Sequence, residues 1–542
     1  VANWASDNET GRRRKTGSPT FQEVNAMHSP LFSILTPVYE TPLGVLQETI
    51  DSVVGQTFMD WELVFVDDCS PNPEVRNVLR KAAALDNRIR VLERESNGGI
   101  VEASNDAIGA ARGSFIALLD HDDLIAPQAL QRMAAAVRKN PDADYLYSDE
   151  DKIRANGSKF DQFDKPDWSP ERLRGQMYTG HLSVLRTDLV RAVGGFHAQF
   201  EGSQDHDLVL RVAEHARQIV HIPEVLYHWR VIEGSTAETA DNKPYAWDAG
   251  VRAVNAHLER VGIVGTAFRG PVPGTYRVKR EPELDRSVSI IIPTRGTAGE
   301  VWGGQRVFLI DAVRSILATT RHRDVEVVVV YDADTPEEVL AALTELVGDR
   351  LTLVPFVGPF NFSRKCNEGY LSARGEVLLF LNDDIEVISD EVIGQMLAPL
   401  NEPGVGMTGA MLYFEDGVIQ HAGHLHHMGQ FTHAYLGAPK GTYGDFSSLL
   451  INREASGLTA ACIAMPTSVF EDVGGFSEIF PGNFNDVDLS KKVTQAGYRL
   501  VWLAGVELFH FESRSRNPLV HAYEEKQIID RWAGPQRDPY LA

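Results

Sequence analysis

The sequence predicts an α/β protein of two tandem domains, each a mostly parallel sheet with helices on both faces. Three observations predict it. Apolar strands alternate with amphipathic helices along the chain, the landmarks of the first half return in the same order in the second, and carboxylates recur where the strands end. At 542 residues the chain also exceeds the roughly 100 to 250 at which a single core levels off.

The repeat is read element by element. Phe32 to Pro37 returns as Val288 to Pro293, each a short apolar run closed by proline and hence a buried strand entering a loop. Trp61 to Asp68 returns as Val325 to Asp332, a strand ending in carboxylate. Gly113 to Asp123 is echoed by Gly375 to Asp384. Gly194-Gly195-Phe196 matches Gly474-Gly475-Phe476, Gln204 to Leu208 matches Asn485 to Leu489, and His228 matches His510. The offset drifts only from roughly 256 to roughly 282 residues, as small loop insertions would cause. Between the strands, Gln47 to Val54, Pro73 to Leu85 and Pro127 to Lys139 place apolar residues at helical spacings of three and four. A helix from Tyr245 to Val261 precedes a connector rich in Pro, Gly and charge. The expected division is a polar tail over 1–29, a first domain over 30–265, a linker over 266–286 and a second domain over 287–542 that ends in a helix.

Composition excludes several classes. Apolar residues at 43% and charged ones at 23% describe a folded globular protein. With 75 acidic against 52 basic side chains the formal charge is -23, which repels a polyphosphate backbone, so nucleic acid is not an expected partner. A small diphosphate remains acceptable where carboxylates hold a divalent cation. Cys69, Cys366 and Cys462 show no CxxC spacing, which suits a reducing cytoplasm. No apolar run approaches the roughly 18 to 20 residues of a membrane span, and the basic cluster Arg12 to Lys15 reads as a solvated part of the tail.

In a mostly parallel sheet, ligands bind at the carboxyl ends of the strands. Asp120-His121-Asp122-Asp123 follows the apolar run Phe115 to Leu119, and carboxylates so crowded favour a hard cation such as Mg²⁺ between them. The plain alternative is that Asp122 or Asp123 caps the helix beginning near Pro127. Asp205 and Asp207 stand at a helix start, where acidic residues are welcome for dipole reasons alone. Their weight comes from the repeated order: strand-end carboxylate, Asp cluster, Gly-Gly-Phe turn, Asp pair, lone His. His228 and His510 are either ligands or structural histidines on this reading.

With these motifs, residues Leu31 to about Arg516 resemble family 2 glycosyltransferases of the GT-A fold, in two full copies. The resemblance implies inverting transfer from a UDP-, dTDP- or GDP-linked sugar, with Mg²⁺ or Mn²⁺ as cofactor. The acceptor is then an oligosaccharide or lipid-linked glycan, so a cytoplasmic protein touching the inner membrane face is expected. Carried over by position, Pro37, Glu40, Asp67, Asp68 and Asp120 belong to nucleotide-sugar binding, Asp120 and Asp122 form the DxD motif, Asp205 is similar to the catalytic base, and His228 completes the metal site. Tyr147 to Lys152 and Lys165 to Pro170 resemble acceptor-side segments. In the second half the matching residues are Pro293, Asp332 and Asp383 for the donor, Asp384 and His510 for the metal, and Asp486 for the base.

The second half departs from the pattern at two positions. Asn382 stands where the first carboxylate of DxD belongs, so either Asp383 and Asp384 carry the metal or this half depends on it less. Tyr331 replaces Asp67. The run Asn382 to Val387, with His510 to Arg516, resembles rhamnosyltransferase-like members, which gives Arg514 and Arg516 a role at the diphosphate. His421, His424, His426, His427 and His433 lack cysteine or carboxylate spacing for a zinc cage and are read as acceptor-facing or packing residues. The competing readings are a single catalytic half, with the second the one that has lost activity, or a glycan-binding protein. The second of these is disfavoured because binding requires no base at the helix start. A dehydrogenase would need a GxGxxG turn after the first strand, and Thr36 to Glu40 offers none; the P-loop of a phosphoryl-transfer enzyme is also absent.

Overall fold

A computed structural model of the protein describes residues 29–231, 244–511, 520–533 and 537–541. Nearly all of the expected tail, together with Arg514 and Arg516, lies outside the described residues.

The first half is built on a nine-stranded sheet. Strands Phe32–Val38, Trp61–Asp67, Ile89–Glu93 and Phe115–Leu118 are mutually parallel where they pair, with Phe32 opposite both Trp61 and Phe115. Both faces are buried, so these strands read as continuous apolar runs. Phe32, Ile34, Leu63 and Phe65 pack into one core layer, while Leu35, Val64 and Val66 pack into the other. Helices Leu43–Val54, Pro73–Leu85 and Ile100–Ala110 connect them, the second with Asn72 capping the Glu74 amide. Beyond Phe115–Leu118 the order continues through Ser183–Arg186, Ala143–Ile153 and Gln218–Arg230, with antiparallel neighbours. Only the last two of these pair in parallel.

The second half is a ten-stranded sheet in which Val288–Thr294, Val325–Asp332, Leu351–Phe356 and Val377–Leu381 take the places of the first four strands. Cys462–Pro466, Val405–Tyr413 and Arg499–His510 follow in the same spatial order, the first antiparallel to its neighbours and the last two parallel to each other. Small details repeat as well. The Gly-Gly-Phe turn of each half, with both glycines at positive φ, is clamped by an asparagine that bonds the Phe amide and carbonyl: Asn105 to Phe196 and Asn367 to Phe476.

The expected linker over 266–286 is not a plain connector. Strands Gly265–Arg269 and Tyr276–Arg280 form an antiparallel hairpin, and the Pro- and Gly-rich stretch 270–274 is its turn, with Gly274 at φ 78°. Asn255, on helix Pro244–Arg260, bonds both the amide and the carbonyl of Ala267, so the hairpin belongs to the first half. The helix expected at the C-terminus spans Ala522–Trp532. Among the described residues no helix is long and apolar enough to cross a membrane.

The hairpin ends in the contact between the halves. Arg280 donates to both carboxylate oxygens of Glu171, at 2.8 and 2.7 Å, and to Glu402 at 2.5 Å; Arg174 donates to Glu171 and Glu402 at 2.8 Å each. Glu171 and Arg280 are buried, and despite that burial the two guanidinium groups hold the Glu171 carboxyl well below the usual range. Phe163 of the first half stacks on Phe446 of the second at 3.8 Å between ring centroids. Glu171→Ala leaves two buried cations short of a partner and should cost about 3–5 kcal/mol, whereas Lys526→Ala breaks only an exposed pair and should cost under about 1 kcal/mol. Urea unfolding of the two variants checks this, and equal shifts would show that the buried network does not join the halves.

Candidate active site

In the first half the strand ends converge on an open cleft. Asp120 lies just beyond Phe115–Leu118, its amide 3.3 Å from the Tyr227 hydroxyl and its side chain about half exposed. Asp122 is less exposed, and burial, with the charge of Asp120, raises its pKa against the lowering by His121 and Arg230. Asp123 is fully buried, accepting from the Tyr227 hydroxyl at 2.6 Å and the Arg230 amide at 2.7 Å, which makes it a bracket for the loop. Across the cleft, helix Gln204–Ala213 presents Asp205 as its second residue. Asp205 is open to solvent at the cleft wall. Even so, loss of water and the charge of Asp120 push its carboxyl pKa up to about 6. Asp207, by contrast, is buried against Arg211 at 2.5 Å.

A residue that the repeat does not reveal completes this cleft. His181 stacks on Tyr227 and lies 3.9 Å from Asp120. Its amide bonds Glu150 at 2.9 Å, and its Nδ1 lies 3.3 Å from the same carboxylate. Burial alone would lower its pKa, but the hydrogen bond and charge of Glu150, with Asp120 and Asp123, raise it to about 9, so the ring is cationic at neutral pH. The fully buried Lys165 donates to the same Glu150 at 3.0 Å. The stretch Thr459 to Ala461, equivalent in the second half, holds no histidine, so a search by repetition passes over His181.

The other expected first-half residues are placed less simply. Pro37 lies in the first strand opposite Val66. Glu40, at φ 51°, accepts the Asn72 amide at 2.7 Å. Asp67 is buried under Arg76 at 2.6 Å, and both Asp68 oxygens are taken by the amides of Gly98 and Gly99, at 2.9 and 2.8 Å. These two carboxylates therefore brace the loops at this end of the sheet. His228 bonds Asp151 at 2.6 Å through Nδ1, and Lys159 donates to its Nε2 at 2.9 Å. An ammonium thus occupies the lone pair that a metal would need, and His228 does not fit the expected ligand role in this arrangement.

The second half encloses a cavity of about 420 Å³ lined by Pro293, Asp383, Asp384, Asp486, His510 and His424, among others. A volume of that order suits a small ligand. Here the expected metal residues do meet, with His510 Nε2 3.1 Å from Asp384 Oδ1 and 2.9 Å from the Asn382 amide nitrogen. His510 Nδ1–H donates to Gln420 at 2.7 Å, which turns the Nε2 lone pair toward the cavity. Asn382 Oδ1 is buried and without a hydrogen-bond partner. The Asp384 carboxylate and the orphaned Asn382 oxygen suit a divalent cation, and His510 Nε2 would join them once a cation replaces the Asn382 amide donor. Asp383 is a different kind of group: Thr294 donates to it at 2.6 Å, and burial and the Asp384 charge push its pKa up to about 7.

Asp332, at the end of its strand, pairs with the buried Lys365 at 2.7 Å. Asp486 is the second residue of helix Asn485–Gln495, matching Asp205. It accepts the amides of Val487 at 2.8 Å and Ala460 at 3.3 Å, and lies 3.7 Å from His424 Nε2. Burial raises its pKa, but His424, His433 and these bonds outweigh burial and hold it below the usual carboxylate value. Of the five loop histidines, His421, His424 and His433 come together beside Asp486.

Comparison with known proteins agrees with this architecture. The profile "Glycosyl transferase family 2" matches residues 33–193 and again 289–474, more than half of the chain. The chain is 41% identical over 515 residues to the uncharacterized protein y4gI of Sinorhizobium fredii, covering 93% of this chain and 56% of that protein. It is 36% identical over 517 residues to the O-antigen biosynthesis protein RfbC of Myxococcus xanthus, covering 94% of this chain and 40% of that one. It thus spans about half the length of these relatives. The crystal structure of S. aureus TarS 1–349 in complex with UDP-GlcNAc is 22% identical with a TM-score of 0.35, over 42% of this chain and 66% of that one. With its profile matched once in each half, the chain belongs to glycosyl transferase family 2, and both halves carry the α/β sheet with the family's GT-A order of elements.

Proposed function

We propose that the chain is a bifunctional inverting glycosyltransferase, each half passing a sugar from a nucleotide-diphosphate donor to a growing bacterial surface polysaccharide. The observation that carries the reading is the matched placement of Asp205 and Asp486. Each is the second residue of a helix near strand-end carboxylates, Asp486 in the cavity that Asp383 and Asp384 line and Asp205 within the field of Asp120. The Myxococcus relative bears a name from O-antigen biosynthesis, which points to a glycan acceptor of that class. A lipid-linked glycan as acceptor would bring the chain to the inner face of a membrane.

In each half the acceptor hydroxyl gives its proton to the aspartate carboxylate as its oxygen attacks the anomeric carbon. The bond from that carbon to the phosphate oxygen breaks, and the nucleoside diphosphate leaves with the electron pair. Mg²⁺ or Mn²⁺, when bound, supplies positive charge to the leaving diphosphate, and in the second half Asp384, His510 and Asn382 would hold it. In the first half Asp120 and Asp122 remain for that task, and the cationic His181 fixes Asp120 in place. Arg514 and Arg516 are retained as diphosphate ligands on the strength of the sequence alone.

A second reading, in which the second half binds without turnover, is favoured by Asn382 and by the lowered pKa of Asp486, which weakens it as a base. Donor panels separate the two. Asp205→Asn should reduce turnover of one nucleotide sugar by roughly 10² to 10⁴-fold and Asp486→Asn that of another, followed as release of nucleoside diphosphate. A donor pattern unaffected by Asp486→Asn supports the second reading.

The pH profile gives an independent check. Asp205 acts as the carboxylate and its pKa is raised to about 6, so kcat/KM of the first half should climb as pH rises through about 6 and level off above it. A profile already flat at pH 5 would remove Asp205 as the base. Gln420→Leu deprives His510 of its orienting acceptor and should weaken Mn²⁺ binding about 10- to 100-fold, read by calorimetry.

A further inference from the structure

The insert that follows strand Val405–Tyr413 gathers histidines by its turn geometry. Strand Ile419–His421 carries His421, and the hairpin of His424–His427 with Gln430–His433 places His424 directly opposite His433. The three rings lie edge to face, with centroids 5.0 to 5.1 Å apart, and one nitrogen from each falls within 4.8 Å of the others. His421 and His424 are buried and His433 is partly so.

Two features set this cluster apart from ordinary packing. The Nδ1 atoms of His421 and His433 are 2.7 Å apart, a separation at which two imidazole nitrogens need a cation or a shared proton between them. Around them, buried ring nitrogens stand without hydrogen-bond partners: Nδ1 of His424, and both nitrogens of His426, whose ring stacks on that of His424 at 5.9 Å. Such unpaired buried groups are costly and call for a ligand or another compensation.

We propose that His421, His424 and His433 form a binding site for a divalent transition metal of the zinc class, separate from the oxygen-rich site at Asp384 and His510. Three imidazoles select Zn²⁺, Co²⁺ or Ni²⁺ over Mg²⁺, which prefers oxygen ligands. His424 Nε2 lies 3.7 Å from Asp486 Oδ2, and His424, His433 and Asp486 all line the cavity, so the positions that the histidines leave open face the acceptor side of the cleft. On loading, the ion replaces the proton shared by the two Nδ1 atoms. That proton moves to His421 Nε2, which gives up its 3.2 Å bond from the Thr459 amide, so that the imidazole stays neutral as its Nδ1 lone pair takes the ion. The sequence lacks the cysteine or carboxylate spacing of a zinc cage because the ligands are assembled by a hairpin register that local spacing does not encode.

The test uses the full chain, free of any affinity tag and stripped with a chelator, titrated with Zn²⁺ against a chromophoric competitor and with Co²⁺ by visible absorption. One equivalent should bind to the histidines at micromolar concentration or tighter, beyond any uptake at the Asp384 site that Asp384→Asn removes, and Co²⁺ should develop d–d bands. His433→Gln and His424→Gln should each weaken binding by at least the ~10- to 100-fold typical of losing even an outer partner, while Asp384→Asn leaves it unchanged. Circular dichroism establishes that each variant is folded, and the wild-type titration decides the matter if one is not. Failure of the wild type to take up Zn²⁺ or Co²⁺, or uptake indifferent to both histidine substitutions, overturns the site. The readout is metal uptake, so it stands or falls independently of sugar transfer.

Discussion

The arrangement of both clefts depends on one close backbone contact made twice. A Cβ on Gly113 would sit 2.5 Å from the Ser33 amide nitrogen, and one on Gly375 would sit 2.5 Å from that of Ser289, so only glycine lets the fourth strand enter beside the first. The contact is locked by hydrogen bonds. Ser33 Oγ donates to Glu62 at 2.7 Å and accepts the Gly113 amide at 2.8 Å; Ser289 donates to Glu326 at 2.5 Å and accepts the Gly375 amide at 2.8 Å. This fixes the register that pairs Phe32 with Phe115 and Val288 with Val377. Because side chains alternate along a strand, a slip of one residue would turn every strand-end carboxylate away from its cleft.

From that shared frame the two halves diverge by electrostatics. The first surrounds its site with cations: the partly buried His181 beside Asp120, the buried Lys165 on Glu150, and the exposed Lys159 on His228. The second replaces a carboxylate with Asn382, turns His510 toward Asp384, and crowds imidazoles around its candidate base. Burial acts on both bases in the same direction. Asp205 keeps a raised pKa because Asp120 adds to burial, while the histidines beside Asp486 reverse it. Two homologous aspartates at the same helix position therefore differ in basicity through their neighbours, and the clefts need not share a donor or a pH range.

The halves are not independent beads on a string. The hairpin after helix Pro244–Arg260 packs on the first half through Asn255 and delivers Arg280 into carboxylates from both halves. A buried network of this kind adds less net stability than its short distances suggest, since desolvation offsets much of the attraction. Its directional bonds nevertheless define one docking geometry.

The sequence by itself determined the strands, the helices and their duplication, because burial on both faces writes continuous apolar runs and the Gly-Gly-Phe and Asp-pair landmarks are local. Helix Pro73–Leu85 begins and ends where its proline and its apolar spacing place it. It also determined which residues stand at the strand ends, since that follows from order along the chain. Only the tertiary structure decided which of them meet. His510 reaches Asp384, while His228 is engaged by Lys159 from a strand whose pairing no local pattern specifies. His181, the Arg280 network and the triad of His421, His424 and His433 were decided there too, because each joins residues through long-range register or packing and leaves no periodic trace in the sequence.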